Sequence, residues 1–379
     1  MILSPGRGGV YFREMGDVLK KAGDFLRRNR RHVATVALLA GFAFDFVAYK
    51  VIDLTWAELV LLAHVVLFAG SLIVIELPRQ AERAESKPYR FFIEWMPVVT
   101  QWAAGATLKG FLVLYFASGS LYASWPFFAL VLLTVLANEF LTLERSRLPF
   151  QTSLLFVDLV LFFALAVPLA MHAIGVPEFL IAVALAALTF FVYTLIASAL
   201  TPSFRALSGV ISGAAALACA LMLGMYFTDL LPPIPLASRA AGFYHFVQRS
   251  GDVYLATDEP RSWYGRFFDI DGIDLHLAPG ESAYFYASIF APALLNTDIV
   301  HRWEMFDAAT GKWVTENTLS FSIIGGRPDG YRAYSFIPDA APGTYRVSVE
   351  TSRGQVIARA YVHVDRVADA VPLSTLTLQ

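Results

Sequence analysis

The sequence has few cysteines, few charged residues and none of the common catalytic motifs. It contains one cysteine, Cys219, so no disulfide can form within the chain. Charged residues make up only 16% of it, against about 25% in ordinary soluble proteins. Residues 1–31 lack the apolar core of a cleavable signal peptide. No Gly-x-Ser-x-Gly elbow, Walker loop or dinucleotide fingerprint occurs, which argues against the enzyme and nucleotide-binding classes that depend on them.

Apolar residues are abundant instead. They form 57% of the chain, and its mean hydropathy is +0.56. Several runs are long enough to cross a bilayer as helices. We predict seven transmembrane helices, at Val33–Val51, Leu54–Leu77, Pro97–Ala117, Trp125–Leu143, Thr152–Ile174, Phe179–Leu200 and Ser208–Leu231.

Basic residues crowd one side of these spans. Several precede Val33, and the other loops of that side contain Arg79, Arg83, Lys87, Arg90, Arg145, Arg147 and Arg205. The opposite loops contain only Lys50. The positive-inside rule therefore predicts a bacterial inner-membrane protein with a cytoplasmic N-terminus and a periplasmic C-terminal domain.

The pattern changes after Pro232-Pro233-Ile234-Pro235, which forbids helical continuation. Apolar and polar residues alternate over Ser282–Phe290, Ile299–Phe306, Tyr331–Phe336, Thr344–Glu350 and Gln355–Val364. Turn signals such as Pro328-Asp329-Gly330 separate these runs. Short strands at this spacing favour an all-β sandwich of immunoglobulin-like architecture without its disulfide.

These patterns define five regions. Residues 1–31 have a basic amphipathic pattern, which suits either an interfacial helix on the cytoplasmic leaflet or a solvated lead-in. Residues 32–231 form the seven-helix domain. Residues 232–249 are expected to form a linker with a short interfacial helix. Residues 250–366 form the periplasmic sandwich, and residues 367–379 a flexible tail.

Several motifs resemble the bacterial domain-of-unknown-function family 2914. In the C-terminal region they are Ala287-x-x-Phe290-Ala291-Pro292, His301-Arg302-Trp303-Glu304, Gly325-Gly326-Arg327, Gly330-Tyr331-Arg332 with Ser335, and Pro342-Gly343-x-Tyr345-Arg346-Val347. In the helical region, which is similar to the multi-pass members, they are Phe44-Asp45, Tyr115-x-x-Ser118 and Asn138-Glu139. Tyr345 and Lys109 depart from the family pattern. The resemblance implies an architecture but no activity.

Ionisable residues within the spans form a candidate intramembrane site, because charges are costly in hydrocarbon. Asp45, His64 and Lys109 fall at similar depths, and Asn138, Glu139 and Asp158 lie nearer the cytoplasmic edge. A relay for protons or substrate is one interpretation, with His64 as the group that titrates near neutral pH. The other is that Asp45 and Lys109 pair to fix helix packing.

In the β region the candidate recognition residues are His301, Trp303, Arg327, Tyr331, Arg332 and Ser335. Aromatic side chains with arginine suit sugar faces, carboxylates or a protein partner. The alternative is structural, with Trp303 in the core of the sandwich and Arg332 bracing a neighbouring strand. No histidine shows paired metal-ligand spacing, so neither a metal nor a cofactor is expected.

We therefore expect a non-catalytic inner-membrane protein whose periplasmic sandwich binds an envelope glycan, lipid or protein. The alternatives are a transporter or lipid-handling protein that uses the Asp45, His64 and Lys109 layer, and a membrane-embedded enzyme of the envelope. Nucleic acid is not an expected partner, because neither half of the chain is strongly basic.

Overall fold

A computed structural model describes residues 54–77, 87–140, 144–233, 235–260, 273–292, 295–325, 330–368 and 371–378. The predicted first span, Asp45 and the predicted N-terminal helix lie outside these residues. Asp53–Gln379 forms one unit by its internal contacts. Helices occupy its first half and strands its second half.

The described long helices overlap six of the predicted spans. The described helices are α1 (Leu54–Glu76), α2 (Lys87–Ser118), α3 (Leu121–Phe140), α4 (Glu144–Met171), α5 (Val176–Leu200), α6 (Pro202–Ala206) and α7 (Ser208–Phe227). Of these, α2 and α4 each begin at least two turns before the predicted start. The local sequence explains why α5 ends at Leu200. Thr201 is extended (φ −136°, ψ 129°) because it precedes Pro202, and a residue before proline disfavours the helical conformation.

Four of the described helices are long and apolar enough to cross a membrane by length and composition. The four segments are Trp56–Glu76, Leu148–Met171, Val176–Leu200 and Ser208–Phe227. The one in α4 is the most buried of them, and α4 packs against α1, α2, α5 and α7. The helical region is thus arranged around α4.

Small residues line the exposed face of α7. The small side chains of α7, including Gly209, Gly213 and Gly224, are exposed. The packed face of α7 is instead the one that carries Ile211, Ala215, Met222 and Tyr226.

The strands occupy the C-terminal region. They are β1 (Ala237–Tyr244), β2 (Phe246–Ser250), β3 (Val253–Asp258), β4 (Ile273–Leu277), β5 (Ala283–Phe290), β6 (Asn296–Asp307), β7 (Lys312–Ile324), β8 (Tyr331–Ile337), β9 (Gly343–Thr351), β10 (Val356–Arg366) and β11 (Ser374–Leu378). All five strands predicted from alternation are present.

These strands form three sheets. The large sheet has the order β4-β10-β9-β6-β7, the middle sheet the order β1-β5-β8, and the small sheet the order β11-β3-β2. Only the β4–β10 pair is parallel among the described pairs. The large and middle sheets share one core, in which Trp303 of β6 contacts Phe243 of β1 and Phe285 of β5.

Two predicted boundaries are wrong. The expected helix within 232–249 is replaced by β1 and β2, so the β region begins at Ala237 rather than at residue 250. The edge of β5 provides a continuous set of pairing partners for β1, and this long-range pairing outweighs the local helical spacing. The expected flexible tail contains β11, which pairs with β3.

Candidate functional site

The outer face of the middle sheet carries a row of aromatic side chains. Ser335 of β8 points into the core, so Tyr334 and Phe336, its neighbours in the strand, point to the opposite face. Tyr284 of β5 lies directly opposite Phe336 in the antiparallel pairing. Cross-strand pairing and alternation therefore place these three rings together.

The rings are in mutual contact. Tyr284 and Phe336 stack with centroids 5.0 Å apart and planes 24° apart. Phe246 of β2 meets Tyr284 edge-on at 5.2 Å, and Tyr334 lies 6.1 Å from Tyr284. Phe246 and Phe336 are each 42% exposed, and Tyr284 and Tyr334 are half-buried.

A tyrosine and an arginine close one end of this row. The Tyr254 ring lies 6.2 Å from the Tyr334 ring, and the Tyr254 hydroxyl donates a 3.1 Å hydrogen bond to the Arg332 carbonyl oxygen. The Arg332 guanidinium lies 5.9 Å above the Tyr254 ring. We call Phe246, Tyr254, Tyr284, Arg332, Tyr334 and Phe336 the aromatic surface.

Beneath the aromatic surface, Tyr286 anchors the small sheet to the middle sheet. It is fully buried and packs with Val247, Ala256 and Leu378. Burial raises the pKa of Tyr286 to about 12, so its phenol stays neutral at physiological pH. The side chains of the aromatic surface therefore rest on a packed layer. Because packing already orders them, they lose little conformational entropy when a ligand binds.

The aromatic surface combines apolar ring faces with polar edges. Tyrosine and arginine at such a place supply contact area and hydrogen-bonding groups together. This combination suits a ligand that is itself apolar on one side and hydroxylated at its edges.

Half of the predicted recognition residues lie in the core, which corrects that prediction. His301, Trp303 and Ser335 are at most 1% exposed, because the inward face of β6 packs on the middle sheet. The alternative prediction, that Trp303 lies in the core, is confirmed. Tyr331 and Arg332 are half-buried, and Arg327 lies outside the described residues. Of the six, only Arg332 belongs to the aromatic surface.

Ser335 and His301 form a pair that resembles part of a hydrolase triad but cannot act as one here. His301 Nδ1 lies 3.0 Å from Ser335 Oγ, and Trp303 Nε1 donates to the same oxygen at 2.9 Å. Burial lowers the pKa of His301 to about 4, so the imidazole stays neutral. Because both side chains are shielded from solvent, no substrate can reach them, and the pair is structural.

Of the six predicted intramembrane residues, the structure describes the side chains of His64, Lys109 and Asp158. Asp45 lies outside the described residues, as do the side chains of Asn138 and Glu139. His64 Nδ1 lies 2.6 Å from the Val60 carbonyl oxygen of its own helix, and its ring lies 4.9 Å from the Trp102 ring. Lys109 is half-buried, and Asp158 is fully buried beside Thr107.

Two histidines meet on one carboxylate in a cluster that was not predicted from the sequence. His245 Nε2 lies 3.0 Å from Glu259 Oε1, and His276 Nδ1 lies 3.0 Å from Glu259 Oε2. Hydrogen bonds from the His276 backbone and from both imidazoles outweigh desolvation and lower the pKa of Glu259. The three residues come from separate strands and turns, so no sequence spacing could reveal them. Within the described ranges no three such side chains are placed to hold a metal ion.

Comparison with known proteins identifies the C-terminal strands. Residues 296–364, from β6 to β10, match the model of a family described as protein of unknown function (DUF2914), which confirms the resemblance predicted for this region. No curated protein matches the chain.

Two solved structures are examples of the matches that a structural comparison gives. A β-glucosidase from Listeria innocua in complex with gluconolactone is 15% identical, with 36% of this chain and 18% of that chain covered and a TM-score of 0.18. The alkylpurine DNA glycosylase AlkC from Pseudomonas fluorescens, bound to DNA containing an abasic site analogue, is 10% identical, with 81% and 98% covered and a TM-score of 0.19. Such low TM-scores do not indicate a shared fold and carry no functional argument.

Proposed function

We propose that this protein is a membrane-anchored, non-catalytic binding protein that holds a saccharide of the bacterial envelope on its aromatic surface. The observation that carries the proposal is the continuous row of rings from Phe246 through Tyr284 to Phe336, whose two outer rings are each 42% exposed. Contiguous exposed apolar surface on an otherwise packed domain marks an interaction site.

The membrane anchor in this proposal is a seven-helix domain in the inner membrane. Four helices of suitable length and the charge asymmetry of the loops support it. In this topology the N-terminus is cytoplasmic and the strands, which begin ten residues after α7 ends, lie in the periplasm. The proposed architecture of the strands is an immunoglobulin-like sandwich, supported by the core that the large and middle sheets share.

A saccharide fits the aromatic surface better than the other envelope partners. A sugar ring has apolar C–H faces and hydroxyl edges, which match the ring faces and the phenol and guanidinium groups of the aromatic surface. The described side chains of this surface include a single charge, Arg332, so recognition does not depend on a strongly charged head group.

Calorimetric titration of the full-length protein in nanodiscs tests the proposal. The probes are soluble peptidoglycan fragments and lipopolysaccharide oligosaccharides. Replacing Tyr284 or Phe336 by alanine is expected to weaken saccharide binding about tenfold, since each loses an aromatic contact of about 1.5 kcal/mol.

Phe306→Ala is the matched control. Phe306 is also exposed (38%) but lies on the large sheet, against Trp313. This variant should bind as the wild type does. Equal loss in all three variants, no saccharide binding by the wild type, or a protein partner released by Tyr284→Ala would contradict the proposal.

Transport is the second candidate function. Among the described residues of the predicted Asp45, His64 and Lys109 layer, His64 contacts a carbonyl of its own helix. The observation that favours transport is instead the buried carboxyl group of Asp158 in α4.

A further inference from the structure

Asp158 lies near the middle of α4, the most buried of the apolar helices. It is 0% exposed, and its neighbours Leu159, Val160 and Leu161 are buried too. An ionised carboxylate at such a place is very costly unless it is paired.

The polar contacts of Asp158 accommodate a protonated carboxyl group. Thr107 Oγ1 of α2 lies 2.8 Å from Asp158 Oδ2 and 2.9 Å from the Ala104 carbonyl oxygen. A hydroxyl group carries one proton, and a carbonyl oxygen can only accept. The hydroxyl proton is either shared between the two oxygens or donated to the carbonyl oxygen alone, and in the second case the carboxyl group supplies the other proton.

No charge in the described part of the chain compensates an ionised Asp158. Its Oδ1 atom is buried without a hydrogen-bond partner there. The described titratable side chains of the helices packed against α4 are Glu58, His64 and Glu76 in α1, Lys109 and Tyr115 in α2, Glu178 and Tyr193 in α5, and Cys219 and Tyr226 in α7. None of them is hydrogen-bonded to Asp158, whose side-chain partner in this region is Thr107.

A hydroxyl group and a small cavity lie further along α4 from Asp158. One turn from Asp158, the Leu161 carbonyl accepts a 3.4 Å hydrogen bond from the Tyr115 hydroxyl. Tyr115 also lines a small cavity together with Ala164, Pro168 and Tyr226. The Leu161 carbonyl and the Ala164 side of this cavity lie within two helical turns of Asp158.

We propose that Asp158 is a proton-binding site of the helical region, held as the neutral carboxylic acid by Thr107 in the resting protein. Release gives the carboxylate and a proton to water, and uptake reverses this step. The site is independent of saccharide binding, so its test does not depend on the aromatic surface.

Infrared difference spectroscopy of the full-length protein in nanodiscs tests this assignment. At neutral pH, Asp158→Asn should remove one carboxylic-acid carbonyl band, and this band should shift in heavy water. Dicyclohexylcarbodiimide, which modifies protonated carboxyl groups in apolar surroundings, should label the wild type at Asp158 and lose that label in the variant.

Two further variants keep the test decisive. Thr107→Val retains the carboxyl group, so the acid band should persist at a shifted frequency even if Asp158→Asn fails to fold. Asp252→Asn, in an exposed turn, should leave the band unchanged. Absence of the band from the wild type and from Thr107→Val at neutral pH would overturn the proposal. Loss of the band on adding sodium or potassium chloride would also overturn it, because the group would then bind a metal cation as a carboxylate.

Discussion

The Arg353 guanidinium lies 4.4 Å from the centroid of the Tyr226 ring. Arg353 belongs to the turn between β9 and β10, and Tyr226 to the last turn of α7, so this contact joins the strands to the helices. Nearby, Arg353 Nη2 lies 3.7 Å from Asp229 Oδ1, and Gln355 Nε2 donates to the Leu231 carbonyl oxygen at 3.4 Å. The β region is thus held at the helix ends by specific side-chain contacts as well as by its covalent link.

Replacing Arg353 by alanine should loosen this junction. The variant loses a cation–π contact of about 1 kcal/mol, while the separate cores of the helices and strands are untouched. Hydrogen exchange should therefore accelerate in the β9–β10 turn and at the end of α7, with β6 unchanged. Arg353→Lys keeps the charge but loses the planar group, so it should give an intermediate effect. Uniform acceleration over the whole β region would contradict this localisation.

Ser335→Ala should destabilise the β region by about 1–3 kcal/mol, because it leaves the buried Trp303 N–H without its acceptor. Thermal unfolding followed by near-ultraviolet circular dichroism measures the loss. Adding Trp303→Phe removes the orphaned donor, so the double variant should lose less than the sum of the single variants. Ser320→Ala, at an exposed position in β7, is the control and should be neutral. Full additivity would show that the hydrogen bond is not formed.

We expect the folded protein to lose stability as the pH is lowered, because of His301. Its pKa is about 4 in the folded protein, against an ordinary 6.5. Between these values the unfolded chain binds a proton that the folded protein does not. Stability is therefore complete above about pH 6.5, declines as the pH falls toward 4 and levels off below it, by at most about 3 kcal/mol.

Unfolding midpoints measured across this range check the pH dependence. His301→Gln should flatten the slope, whatever it does to the absolute stability. His363→Gln, whose side chain is 49% exposed in the native protein, should retain the wild-type slope. An unchanged slope in His301→Gln would assign the pH dependence to other groups.

Helices and strands are predicted from this sequence better than the contacts between them. Apolar length located every described long helix, and alternation located β5, β6, β8, β9 and β10. Alternation also placed His301 and Trp303 on one face of β6, but it could not decide which face meets the other sheet. The aromatic surface depends on that choice and on the Tyr284–Phe336 pairing.

Contacts between residues of different helices, strands or turns were harder to predict. β1 lacks strong alternation and becomes a strand because β5 offers it an edge. The same limit applies to Glu259, whose two histidine partners come from distant positions in the chain. Asp158 was predicted as an intramembrane polar residue, but its partner Thr107 is a common residue in helices, and only packing reveals the contact.

Gly325→Ala tests a close backbone approach that no local pattern explains. The Gly325 N–H donates a 2.7 Å hydrogen bond to the Leu295 carbonyl oxygen at the end of β7. A β-carbon at residue 325 would overlap the carbonyl oxygen of Pro292, which is backbone and cannot turn away as a flexible side chain would. We therefore expect a loss of several kcal/mol, at the upper end of what single substitutions cost.

The control is Gly311→Ala, where φ is +67° and the space around the α-carbon is open. It should cost only the backbone strain of about 1 kcal/mol. Thermal unfolding of both variants gives the comparison. If Gly325→Ala costs no more than Gly311→Ala, the chain at Pro292 moves freely, and the glycine of the Gly325-Gly326-Arg327 motif has another role than allowing this approach.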